Sequence, residues 1–261
     1  MFIQRLLTTL ILLPLVLVAI YYADSRFFSY ALLVLALGCA YEWLQLIPIR
    51  RIWLKAFFLG AVAAAWVLVS NVYCCWLATG IAVWGLILIA ICSYPKLQKI
   101  WGHKAVTAFL CLLLLPLFTQ SMSNIFSLTQ GKALVIYLLF LVWGADIGGY
   151  LAGKLLGKHK LIPAVSPGKT VEGVAGGIVL SLLVSLAASY YFQPLSLLKW
   201  TVAAFGIALV SLVGDLFVSM LKRRTQIKDT GHLLPGHGGV LDRLDSLIAA
   251  APFFYLAVNY I

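Results

Sequence analysis

Nine predominantly apolar runs, each about 17–22 residues long, dictate what this chain can fold into. They cover roughly residues 6–22, 28–47, 53–70, 74–93, 105–121, 133–152, 173–192, 199–220 and 244–261. A helix of about 20 residues is about 30 Å long, the thickness of a bilayer's hydrocarbon core. Inside lipid every backbone N–H and C=O must be satisfied within the chain, and a helix does this by itself. Composition agrees. Of the 261 residues 63% are hydrophobic and 10% charged, where a soluble domain carries about 25% charged. The expected fold class is all-α, a polytopic integral membrane protein with about nine transmembrane helices.

The first run follows Arg5 and has the look of a signal peptide. It lacks a small-residue cleavage site and is long enough to span, so it reads as a retained first helix. The break between the third and fourth runs rests on Asn71 alone. No soluble domain, long linker or internal repeat is evident. The expected division is residues 1–130, about five N-terminal helices, and residues 131–261, helices carrying a polar site. The five cysteines lie inside apolar runs without zinc or redox spacing and read as small buried hydrophobes. Tyr21, Tyr22, Trp53 and Trp101 stand at run ends and read as interface anchors.

The formal charge is +11, which raises a nucleic-acid reading. The basic residues instead sit in short loops between apolar runs, where membrane topology places them, so no nucleic acid is expected. Alternate loops divide the 19 Lys and Arg as 16 against 3. The richer side, with the N-terminus, is expected in the cytoplasm and the C-terminus outside. Seven of the eight acids fall at that same face: Glu42, Asp146, Glu172, Asp215, Asp229, Asp242 and Asp245. An acid within hydrocarbon costs about 2.5–3.5 kcal/mol and usually marks a functional site. The pattern points to one polar pocket in the C-terminal half. Glu42, followed by Trp43, reads as an interfacial pair. His103 and His159 read as surface residues.

Ser219–Asp245 is too polar for its surroundings. Asp215, Ser219 and Lys222 are spaced i, i+4, i+7 and share one helix face. Asp242 and Asp245, spaced i, i+3, share a face of the next helix. Three carboxylates brought together repel, and an oxygen-liganded divalent cation such as Mg²⁺ relieves that repulsion. Ion pairing, for example of Asp242 with Lys222, is the alternative. Between the helices runs Lys228-Asp229-Thr230-Gly231, then Pro235-Gly236-His237-Gly238-Gly239. Glycines let backbone N–H groups approach a phosphate, and the flanking Lys and Arg supply charge. A second stretch, from Trp143 through Asp146 to Gly173, adds Ser166, Lys169 and Thr170 beside two prolines. Gly149 and Gly153 there allow close helix contact. Lys169-Thr170 lacks the upstream glycine spacing of a Walker loop. No G-x-S-x-G hydrolase elbow exists.

Together these stretches resemble the phosphatidate cytidylyltransferase family, the CDP-diacylglycerol synthases. The family's long motif is S-x-x-K-R-x4-K-D-x-G-x3-P-x-H-G-G-x2-D-R-x-D. Every fixed position is present: Ser219, Lys222, Arg223, Lys228, Asp229, Gly231, Pro235, His237, Gly238, Gly239, Asp242, Arg243 and Asp245. The second block is similar too, departing at Ile147 and Gly149. The first 130 residues match only in hydropathy and in Glu42-Trp43.

The resemblance implies transfer of a cytidylyl group from CTP to phosphatidate, giving CDP-diacylglycerol and pyrophosphate with Mg²⁺. It implies a multi-pass protein of the bacterial inner membrane, often dimeric, with its site open to the cytoplasm. It also implies metal at Asp215 and Asp242, with Asp245 as a further ligand and a monovalent cation such as K⁺ nearby. On this reading Lys222, Arg223, Lys228 and Arg243 hold phosphates. Ser166, Lys169 and Thr170 contact nucleotide or lipid phosphate, and Asp229 and His237 orient neighbours. Ser219 and Asp146 line the same pocket. Two rivals differ in class. One is an enzyme using CTP on another lipid, such as a polyprenol. The other is a transporter, which predicts acids at the midplane of both halves; here they crowd one face of one half.

Overall fold

The structure, a computed structural model, describes residues 13–47, 49, 51–231 and 238–260. In chain order the helices are α1 (Leu13–Tyr22), α2 (Ser25–Trp43), α3 (Ile52–Val69), α4 (Tyr73–Cys92), α5 (Gln98–Trp101), α6 (Lys104–Phe126) and α7 (Gly131–Leu156). A two-stranded antiparallel hairpin follows, β1 (Lys160–Ile162) and β2 (Ser166–Thr170). The chain then continues through α8 (Val171–Phe192), α9 (Leu197–Thr225) and α10 (Leu241–Val258). The architecture is thus nearly all helical. Among the described residues six helices, α3, α4, α6, α7, α8 and α9, are long and apolar enough to cross a membrane. Arg26 and Glu42 dilute α2, and Asp242, Arg243 and Asp245 dilute α10.

Side-chain caps set several helix starts. Asp24 accepts from Phe27 N at 2.6 Å, His103 from Ala105 N at 3.3 Å, Thr170 from Gly173 N at 3.1 Å and Ser196 from Lys199 N at 3.3 Å. Each satisfies an N–H that the helix itself cannot. The 29 residues of α9 make a helix about 43 Å long, more than a hydrocarbon core needs. Its last turns therefore carry Lys222, Arg223 and Arg224 beyond the apolar body.

The centre of the bundle is α6, whose apolar window is 67% buried against 22% for α3 and α8. Against it pack α2, α3, α4, α7 and α10. Trp43, Trp84 and Phe217 meet in a buried aromatic cluster, with centroids 6.1 and 5.7 Å from Phe217. Glycines let α7 and α8 touch backbone to backbone. A methyl on Gly148 would strike the Gly176 carbonyl, and one on Gly177 would lie 2.6 Å from the Ala145 carbonyl. The expected pair, Gly149 and Gly153, is looser, at 3.6 and 3.1 Å from its nearest neighbours. Gly214 does the same for α9 against α10, where a methyl would strike the Asp245 carbonyl.

Three expectations are corrected. The stretch with Ser166, Lys169 and Thr170 beside two prolines is no open loop but the β1–β2 hairpin, because its backbone pairs across Lys160–Thr170 and Ile162–Ser166. Trp101 is buried against Tyr94 rather than standing at an interface. Of the five cysteines, only Cys39 and Cys111 are buried; Cys74, Cys75 and Cys92 lie on outer helix faces.

Candidate active site

At one end of the bundle meet the last turns of α2, α7 and α9, the hairpin, and the first turns of α6, α8 and α10. The hairpin is tied down from both sides. Arg223 donates through Nε to the Val165 carbonyl at 3.1 Å. Glu172 accepts from the backbone of Lys158 (3.1 Å) and His159 (3.2 Å) and pairs with the His159 ring at 2.6 Å. So held, β2 aims Lys169 at α9, where Nζ meets Asp215 Oδ2 at 2.5 Å. Ser219, one turn along, donates to Asp215 Oδ1 at 3.2 Å. Thr170 turns inward instead and caps α8; it is buried. Ser166 is half-buried on the same strand.

Lys222 lies one turn further along α9 and bonds Asp242 Oδ1 at 2.8 Å. The pair is well covered, with side-chain exposures of 17% and 9%. Asp242 Oδ2 accepts from Thr230 N at 2.8 Å and Gly239 N at 3.2 Å. One carboxylate thus joins the end of α9, the two ends of the connecting loop and the start of α10. Gly238 sits there at φ 81°, a conformation that disfavours any side chain. A methyl on it would lie 3.4 Å from Asp242 Oδ2 and 3.6 Å from Asp229 Oδ1. Lys222, Arg223 and Lys228, with Gln226 and Ile227, line a cleft of about 450 Å³. The expected role of His237 falls outside the described residues.

The carboxylates have separate partners: Asp215 meets Lys169 and Ser219, and Asp242 meets Lys222 and the loop. The charge of Asp215 acts on Asp245 across the α9–α10 contact and on Asp146 of α7. Lys169 and Arg243 act favourably on Asp146. Asp242 is engaged with Lys222 and the loop. Among the described residues no three acid, His or Cys side chains stand as a ready-made metal cage. The donor chemistry still suits a hard divalent cation, which needs only one or two carboxylates when ligand phosphates complete its shell. Asp215, Asp242 and Asp245 carry oxygen donors of that type.

Glu42 is the residue that sequence reasoning underrated. It is buried, at 1% exposure, and accepts hydrogen bonds from Val240 N at 3.0 Å, Leu241 N at 2.8 Å and Thr230 Oγ1 at 3.4 Å. Its acid type inside an apolar run was the available signal. Its partners, about 200 residues away, were not readable.

The chain is similar to the phosphatidate cytidylyltransferase of Pseudomonas aeruginosa, 39% identical over 259 residues that cover 96% of this chain and 94% of that protein. It is 32% identical to the phosphatidate cytidylyltransferase of Haemophilus influenzae, with 96% of each chain covered. The Bacillus subtilis phosphatidate cytidylyltransferase is 42% identical over 126 residues, 48% of this chain and 47% of that protein. Residues 3–261 match the cytidylyltransferase family, and over that near-complete length, with the motif residues gathered at one end of the bundle, the chain belongs to it.

Proposed function

We propose that this protein transfers the cytidylyl group of CTP to phosphatidate, giving CDP-diacylglycerol and pyrophosphate. The observation that carries this reading is the joining of hairpin, α9 and α10 through Lys169–Asp215 and Lys222–Asp242 beside a basic cleft. The names of the two relatives that match 96% of this chain, both phosphatidate cytidylyltransferases, support the choice of substrates. A phosphatidate oxygen attacks the α-phosphorus of CTP, the bond to the β-phosphate oxygen breaks, and pyrophosphate departs. Phosphatidate is already ionised near neutral pH, so no general base is needed. The remaining task is to hold two anions together, by positioning and charge neutralisation. Lys222, Arg223 and Lys228 face the cleft and are suited to triphosphate oxygens. Asp215, Asp242 and Asp245 would hold Mg²⁺, and a K⁺ would accompany it. When bound, the divalent ion supplies neutralisation of phosphate charge.

The proposed setting is a bacterial inner membrane crossed nine times. The excess of Lys and Arg at the site's end would place that end in the cytoplasm. Residues 131–261 supply most of the site, and a homodimer is the expected assembly.

The test is CTP-dependent pyrophosphate release by purified protein given phosphatidate. Release with a polyprenol lipid alone would favour the other-lipid enzyme, and no release with any lipid would end the enzymatic reading. Chelating divalent ions is expected to abolish turnover and added Mg²⁺ to restore it. Full activity in excess chelator would remove the cation from the proposal. Lys169→Met is expected to lower kcat/KM by about ten- to a hundredfold, since it takes a cation from the phosphate site. Its pair with Asp215 is partly exposed (23% and 30%), so the melting temperature should shift by only a few degrees. Steady-state kinetics and a thermal melt in detergent check both expectations.

A further inference from the structure

We infer that Glu42 is a positioning residue for the site, clamping the loop between α9 and α10 from the N-terminal half of the chain. The inference rests on the proposed cytidylyl transfer for its kinetic readout, though not for its structural one. A carboxylate at 1% exposure is costly unless its oxygens are satisfied. Here Oε1 accepts from Val240 N, and Oε2 from Leu241 N and Thr230 Oγ1. The N–H groups of Val240 and Leu241 stand at the start of α10, where a helix has no partner of its own for them. No side chain of the α10 N-cap residue supplies the cap. Glu42, 198 residues earlier, does so instead, and a negative group there also complements the helix dipole.

The fit is tight on both sides. A methyl on Gly231 or on Gly239 would strike the Glu42 carboxylate. The two described ends of the loop, at Gly231 and Gly239, therefore both close on this one side chain. Asp242 takes two further N–H groups of the loop's described ends, Thr230 N and Gly239 N. Two carboxylates thus grip entry and exit. One belongs to the Lys222–Asp242 pair, and the other comes from α2. Packing does not call for an acid here. The neighbouring Trp43, Leu44, Leu46 and Ile47 are buried hydrophobes. The end of α2 is itself fixed, because Trp43 Nε1 donates to the Thr107 carbonyl at 3.1 Å, and Arg224 of α9 donates to the Thr107 hydroxyl at 2.9 Å. Glu42 thereby sets where α10 begins, and so where Asp242 and Asp245 stand.

The experiment compares full-length wild type and Glu42→Gln in lipid-containing detergent micelles. Glutamine keeps the volume but turns one acceptor oxygen into an N–H₂ donor facing other donors. Hydrogen exchange at the amides of Val240 and Leu241 is expected to quicken about tenfold or more, with α7 and α8 unchanged. The kcat for pyrophosphate release should fall about ten- to thirtyfold, with KM for phosphatidate within about twofold, the split expected of misplaced groups rather than lost binding. Unchanged exchange and kcat would overturn the inference. So would a fall in kcat that merely tracks the fraction of folded protein. If Glu42→Gln does not fold, Gly239→Ala, whose methyl displaces the same carboxylate, is expected to give the same pattern, and wild-type behaviour there is equally fatal. Should the wild type release no pyrophosphate, the proposed reaction fails, while the exchange comparison still decides the clamp.

Discussion

Asp242→Asn is expected to lower kcat/KM for CTP by at least about a hundredfold while the helices stay assembled. The asparagine has the right shape and the wrong polarity. One terminal atom becomes a donor, and it must face either the Lys222 ammonium or the N–H groups of Thr230 and Gly239. In both orientations donor meets donor. Lys222, only 17% exposed, loses its counter-charge, and removing one partner of a well-covered pair costs about 3 kcal/mol or more. That strain falls on the loop and on Lys222. The α9–α10 contact at Gly214 is independent of it. Pyrophosphate release under steady-state conditions, with a thermal melt of the same sample, separates lost chemistry from lost fold. Wild-type turnover in this variant would take Asp242 out of the site.

Gly148→Leu is expected to have the largest effect on stability. Its first side-chain carbon would strike the Gly176 carbonyl and lie 2.9 Å from Leu180 Cβ. Overpacking among side chains costs about 1–3 kcal/mol because rotamers can shift; backbone has no such freedom. The helices must part, and between apolar helices in lipid there is little hydrophobic force to hold them once close packing is gone. A loss above about 3 kcal/mol corresponds to a fall in melting temperature on the order of 10 °C for a chain this long. Activity should fall with it, since α7 and α8 carry the hairpin and Lys169 between them. Gly60→Ala, where a methyl meets nothing within 4 Å, is the control and should melt like wild type. A Gly148→Leu protein that melts like the control would refute the close contact.

Some of the site was legible because its signals are local. Asp215, Ser219 and Lys222 lie on one helix face by spacing alone, and Ser219 does bond Asp215. The alternative of ion pairing between Asp242 and Lys222 is what the structure contains. Other features depend on approach from afar. Lys169 was readable as a phosphate-site cation, but its contact with Asp215 requires the hairpin, and the hairpin requires Glu172 and Arg223 to hold it. Thr170, read as a ligand contact, caps α8 because the strand ends where that helix begins. The tightest glycines between α7 and α8 stand one or more positions from those expected, because helix rotation about its axis is fixed only by the partner's surface.

Hydropathy and charge periodicity alone determined that this chain builds apolar helices and concentrates its acids near one end of them, since both follow from the free energy of residues within a few turns. Which carboxylate meets which cation, and that an acid from the second helix would cap the last one, was decided by tertiary packing. The reason is physical: a buried charge is tolerated only beside its partners, and those partners come together only when helices distant in sequence close on α6 and on one another.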